Sequence, residues 1–126
     1  MTLEEQKEYI DLVRSESDLK KLYKSISNEE LKSYIMTKIN DQKFLYEIVQ
    51  KDSSIKQRLS AFSCIKDVNF LKEVALYNSA WQVRYKATTK IEDKEVLCSI
   101  LLRDDNYQVR ARAAKKLNGK FLFFKF

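Results

Sequence analysis

The side chains in this sequence best suited to chemistry are cationic and keep a fixed spacing. Lys86 and Lys90 stand 26 residues before Arg112 and Lys116, with Lys115 next to the latter and Tyr85 and Gln108 close by. On a helix, residues three and four apart share a face, so each group forms a ridge of positive charge. The chemistry open to such ridges is docking: ammonium and guanidinium groups against carboxylates or phosphates, with an aromatic face and an amide adding contact. A solvated basic face, common on surface helices, produces the same pattern.

Catalysis has few candidates. The chain holds no His for proton transfer and one Gly, too few for a phosphate-cradling loop. Cys64 and Cys98 are 34 residues apart, with no CxxC spacing, and are expected to be reduced, structural residues. Asp104 and Asp105 could act as a carboxylate pair, but they fall in a turn where capping needs such residues anyway. The sequence thus leads us to expect no enzyme, no catalytic residues, no cofactor and no metal site.

The elements that position the basic ridges follow from an internal period. Ile39-Asn40-Asp41, Ile65-Lys66-Asp67, Ile91-Glu92-Asp93 and Leu117-Asn118-Gly119 recur every 26 residues. The register extends through Leu45, Leu71 and Leu97, through Ile48, Val74 and Ile100, and through Ala61, Ala87 and Ala113. An earlier unit beginning near Asp18 joins through Leu31, Ile35 and Ile39 if its loop is three residues shorter. Within each unit the apolar positions keep helical spacing, as with Phe70, Leu71, Val74 and Ala75, then Val83, Ala87 and Ile91. No Pro and a single Gly leave hairpins without their usual turn residues. The chain therefore reads as all-α, each unit a helix-turn-helix. Asp41, Asp67 and Asp93 are expected as N-caps, accepting unpaired amide hydrogens. Residues 3–14 read as an extra helix, with Leu3, Tyr9, Ile10 and Val13 near one face. Helical pairs this short cannot bury their apolar faces alone, so the units must stack and the ends need covers.

Two segments carry a family resemblance: Asp104-Asp105-Asn106-Tyr107-Gln108-Val109-Arg110-Ala111-Arg112-Ala113-Ala114 and Asn78-Ser79-Ala80-Trp81-Gln82-Val83-Arg84-Tyr85-Lys86-Ala87. They resemble HEAT repeats, with Asp at the turn, then Val-Arg and a small residue entering the second helix. The resemblance covers residues 41–119 best and 18–40 weakly. It implies a short right-handed α-solenoid of about four units in a single domain, residues 18–40, 41–66, 67–92 and 93–118. A cap helix over residues 1–17 precedes them and an apolar cap over 119–126 follows. It also implies that Arg58, Arg84 and Arg110 bond the turns of their own or neighbouring units, the alternative being a cationic ladder for a partner.

In similar solenoids the second helices line the inner surface. Tyr85, Lys86, Lys90, Gln108, Arg112, Lys115 and Lys116 are thus the candidate partner-binding residues. Residues 1–30 carry eight acidic and five basic side chains, and residues 31–126 ten and nineteen, which suits an acidic partner surface. Another protein is the expected partner, with the chain acting as scaffold, adaptor or inhibitor. A nucleic acid is the alternative. Trp81, Tyr107 and Ile55 share one register position and are expected to pack between units. Phe121, Leu122, Phe123, Phe124 and Phe126 are expected to plug the last apolar edge. Exposed instead, Phe121, Phe123 and Phe124 would drive dimerisation or partner binding. With no apolar run of membrane-spanning length and an acidic N-terminus in place of a signal peptide, a cytoplasmic protein with no membrane partner is expected.

Overall fold

The computed structural model describes the backbone of residues 1–120 and the side chains of residues 1–118. The segment containing Phe121, Phe123 and Phe124 lies outside the described residues, and with it the expected plug. The described chain is all-helical: α1 (Leu3–Asp11), α2 (Glu16–Ser25), α3 (Glu29–Met36), α4 (Gln42–Lys51), α5 (Ile55–Ser63), α6 (Val68–Tyr77), α7 (Trp81–Lys90), α8 (Lys94–Arg103) and α9 (Tyr107–Lys120). No helix among the described residues is long and apolar enough to cross a membrane.

Local chemistry sets where the helices begin. Asp41, Asp67 and Asp93 are N-caps, each accepting an amide hydrogen from the first turn of α4, α6 or α8. Thr2 and Glu5 form a reciprocal capping box on α1. Helix α2 starts earlier than the period suggests, because Ser15 accepts from the Asp18 amide and places Asp18 inside the first turn. Helix α1 closes at Asp11, not near residue 14, and buries Ile10 while Tyr9 stays exposed.

The chain forms two compact units, residues 1–65 and 66–126. In the first, α3 packs against α1, α2 and α5, and α5 pairs with α4. In the second, α6 pairs with α7 and α8 with α9, while α6 also packs on α8 and α7 on α9. The register positions account for the cores. Ala61, Ala87 and Ala113 are fully buried, and Ile39, Ile65 and Ile91 nearly so, because a methyl group lets neighbouring backbones approach where a larger side chain would separate them. Leu45, Leu97, Val74 and Ile100 are buried, whereas Leu71 and Ile48 at the same positions are only half-buried. Gln57 occupies the position of Val83 and Val109 and is 2% exposed. Its amide nitrogen donates to the Glu29 carbonyl, and its Oε1 has no partner.

The three periodic arginines fasten the helix-helix corners. The Arg58 Nε donates to the Asp52 carbonyl, Arg84 Nη1 to that of Asn78 at 2.8 Å and Arg110 Nη1 to that of Asp104 at 2.7 Å. Each acceptor is the C-cap residue of the preceding helix, where carbonyls lack helical partners and the helix dipole favours a cation. Arg84 also grips the Asp104 carboxylate with Nε and Nη2 at 2.9 and 3.2 Å.

Candidate partner-binding surface

All seven candidate residues lie on α7 and α9, which pack against each other in the second unit. This unit also carries the chain's charge imbalance: residues 66–126 hold thirteen basic and seven acidic side chains, residues 1–65 eleven of each.

The candidates fall into two groups. Lys86, Lys90, Gln108 and Lys115 are exposed. Tyr85 and Arg112 are half-buried and stacked, the guanidinium carbon 5.1 Å from the ring centre. A guanidinium is weakly hydrated and planar, so it lies on an aromatic face at little desolvation cost. The Arg112 Nε is buried without a hydrogen-bond partner, which leaves hydrogen bonding from this group to its two terminal nitrogens. Gln108, Arg112 and Lys115 follow one another at helical spacing along α9, as Lys86 and Lys90 do along α7, with Tyr85 next to Lys86.

Lys116 belongs to the internal structure as much as to the ridge. Its ammonium donates to the Thr89 carbonyl near the end of α7 and pairs with Glu92 at 3.0 Å, and its side chain is 17% exposed. It ties α9 to the C-terminal end of α7, where a cation offsets the helix dipole. The sequence placed Lys116 on the ridge but gave no sign of the Thr89 and Glu92 contacts, since the offset between two packed helices is not written in either one's periodicity.

Asp104 and Asp105 are engaged at the corner between α8 and α9. Asp104 is 5% exposed at its side chain and bound by Arg84, while Asp105, 91% exposed, takes a third bond from Arg84 at 3.0 Å. Asp104 also accepts from the Asn106 amide, and Asn106 in turn accepts from the Gln108 and Val109 amides at the start of α9. The carboxylate pair thus serves the corner. Cys64 and Cys98 are free and half-buried. Among the described residues no cluster of His, Cys, Asp or Glu is placed to hold a metal ion.

One packing expectation fails. Trp81 is 37% and Tyr107 68% exposed. Each is the first residue of its helix, so it projects at the corner, off the face that carries Val83 and Val109 into the core. Shared apolar character at one register position suggested burial. Their place at the helix start leaves these two rings at the corner, while Ile55 at the same position is half-buried.

No protein-family model, curated protein or solved structure matches the chain.

Proposed function

We propose that the chain is a short right-handed α-solenoid of about four HEAT-like helical pairs with an N-terminal cap helix. On this reading it is a cytoplasmic, non-catalytic protein-binding module, a scaffold, adaptor or inhibitor, that docks an acidic partner surface through α7 and α9. The solenoid reading draws its support from the 26-residue period, the pairing of α6 with α7 and α8 with α9, and the packing of α6 on α8 and α7 on α9. Stacked pairs of this kind present equivalent positions side by side.

The observation that carries the functional reading is the Tyr85–Arg112 stack, flanked by exposed Lys86, Lys90, Gln108 and Lys115. An arginine on an aromatic support, flanked by exposed lysines, suits carboxylates: the guanidinium fork donates to a carboxylate in a planar geometry, and the lysines steer its approach. A nucleic acid is the competing ligand, favoured by the basic balance of residues 66–126. Against it, Arg112 lies over one face of Tyr85 and leaves less of this half-buried ring for a base to stack on.

The test is affinity capture from native lysate with the full chain and with a Lys86/Lys90/Lys115→Glu variant, half of each sample treated with nuclease. A protein that withstands nuclease and is lost on charge reversal is the expected result. Recovery that disappears with nuclease would transfer the surface to nucleic acid. In that case affinity should also fall steeply with salt, by orders of magnitude between roughly 50 and 200 mM, as multiple phosphate contacts require.

A further inference from the structure

The exposed aromatic residues of the second unit lie away from the basic ridge. Tyr77 ends α6, Trp81 opens α7 and Tyr107 opens α9, so all three stand at the edge where paired helices turn, 68%, 37% and 68% exposed. Helical pairing does not call for aromatics there, since Lys51 holds the position of Tyr77, and Ile55 that of Trp81 and Tyr107. Beside Tyr77 an open groove of about 450 Å³ runs between the C-terminal ends of α6 and α8, bordered also by Ser79, Arg103 and Asp105. It carries one exposed charge of each sign two residues apart. Arg103 has no ion pair among the described residues, and Asp105 is 91% exposed with one oxygen on Arg84.

Exposed Trp, Tyr and Arg side by side are the residues protein interfaces concentrate, and the charges decide the occupant. An acidic partner of the kind that suits α7 and α9 would be repelled by Asp105, and a basic one by Arg103. A second copy of this chain about a twofold axis satisfies both, because such an interface sets each residue of one copy against its complement on the other. The edge is also electrically balanced within a unit that is otherwise strongly basic, so two copies meet there with least repulsion. We propose that this edge is a self-association surface, a twofold contact of Tyr77, Trp81 and Tyr107 closed by two reciprocal Arg103–Asp105 pairs. The three aromatics offer on the order of 300 Å² per copy, against roughly 800 Å² per partner in a standard interface. The dimer is accordingly weak, forming at micromolar to millimolar concentration.

Sedimentation velocity of the full chain from about 1 µM to about 1 mM tests it, with emission from Trp81, the chain's single tryptophan, followed over the same range. The expected mass rises from 15.0 kDa toward twice that value as Trp81 emission moves to the blue. Arg103→Asp and Asp105→Arg, both at exposed positions, should each stay monomeric with unchanged helical circular dichroism. Mixed in equal amounts they should dimerise again, since every pair in the mixed dimer is complementary. A single 15.0 kDa species throughout, association that ignores both reversals, or a mixture that stays monomeric would overturn the proposal. So would association that survives the reversals but is abolished by Phe121→Ser, Phe123→Ser and Phe124→Ser together, which would assign it to the C-terminal phenylalanines.

Discussion

The two units put the same residue types to opposite use. In residues 1–65 four of the nine lysines lie against rings of their own unit. Lys7 and Lys38 sit 5.4 and 5.0 Å from the Tyr34 ring centre, Lys20 5.4 Å from that of Phe44 and Lys32 5.1 Å from that of Tyr23. Lys7, Lys20 and Lys38 also pair with Glu30, Asp41 and Asp11. In residues 66–126 Lys86, Lys90 and Lys115 are exposed on α7 and α9 beside the half-buried Tyr85–Arg112 stack, and Tyr77, Trp81 and Tyr107 have exposed rings. Cations and aromatics that satisfy each other stabilise a unit; those exposed at its surface can also meet something else. Composition alone would miss this, since both units are rich in both types.

Three experiments would break or sharpen the contrast. The largest effect is expected at Arg84, a second-unit cation whose side chain is 11% exposed against 5% for its partner Asp104. Arg84→Ala leaves a buried carboxylate unpaired and should destabilise by about 3–5 kcal/mol in urea unfolding. Lys20→Ala, which breaks a half-exposed pair in the first unit, should lose no more than about 1 kcal/mol. Equal losses would mean that the first-unit lysines set against rings matter more than their exposure implies.

A smaller effect of opposite sign is expected at Gln57. Replacing it with Val, the residue at this position in the second unit, removes the buried and unpartnered Oε1. The gain should be about 1 kcal/mol, seen as a higher urea midpoint at unchanged slope. A loss would show that the bond to the Glu29 carbonyl outweighs the orphaned oxygen.

The smallest effect concerns a device the units share. Lys20 and the Phe44 amide hold the Asp41 carboxyl below its ordinary value of 3.8, and Lys72 and the Val96 amide do the same for Asp93. A carboxyl lowered in the folded state adds stability at pH values above its unfolded pKa and loses it as pH falls through the folded one. Asp41→Asn and Asp93→Asn keep a capping side chain but no titrating group. Each should slightly flatten the loss of stability below pH 3.8, to a similar degree in thermal melts. A clear difference between them would extend the contrast between units to the caps.

Much of the helical framework could be read from the sequence because it depends on local rules. Asp41, Asp67 and Asp93 cap the helices they precede, and Ala61, Ala87 and Ala113 are buried where the period places them. Arg58, Arg84 and Arg110 each reach a carbonyl six residues back, a distance within one period. What could not be read depends on the meeting of different helices. The stacking of Arg112 on Tyr85 and the tether from Lys116 to Thr89 follow from the offset of α9 against α7. The exposure of Trp81 and Tyr107 goes with their place at the corners where α7 and α9 start. Ser15 caps α2 and so starts it ahead of Asp18, where the first unit's different loop length takes it out of the 26-residue spacing.

The arginine corners bear on how such a chain can grow. Donor and acceptor of each clamp are six residues apart and inside one 26-residue stretch, so this bond holds the bend between two helices without Gly or Pro, with Asp104 of the next stretch added at Arg84. Copying such a stretch in tandem copies a finished corner with it. Lengthening the chain then demands no new turn chemistry, only an apolar face for the added pair to rest on.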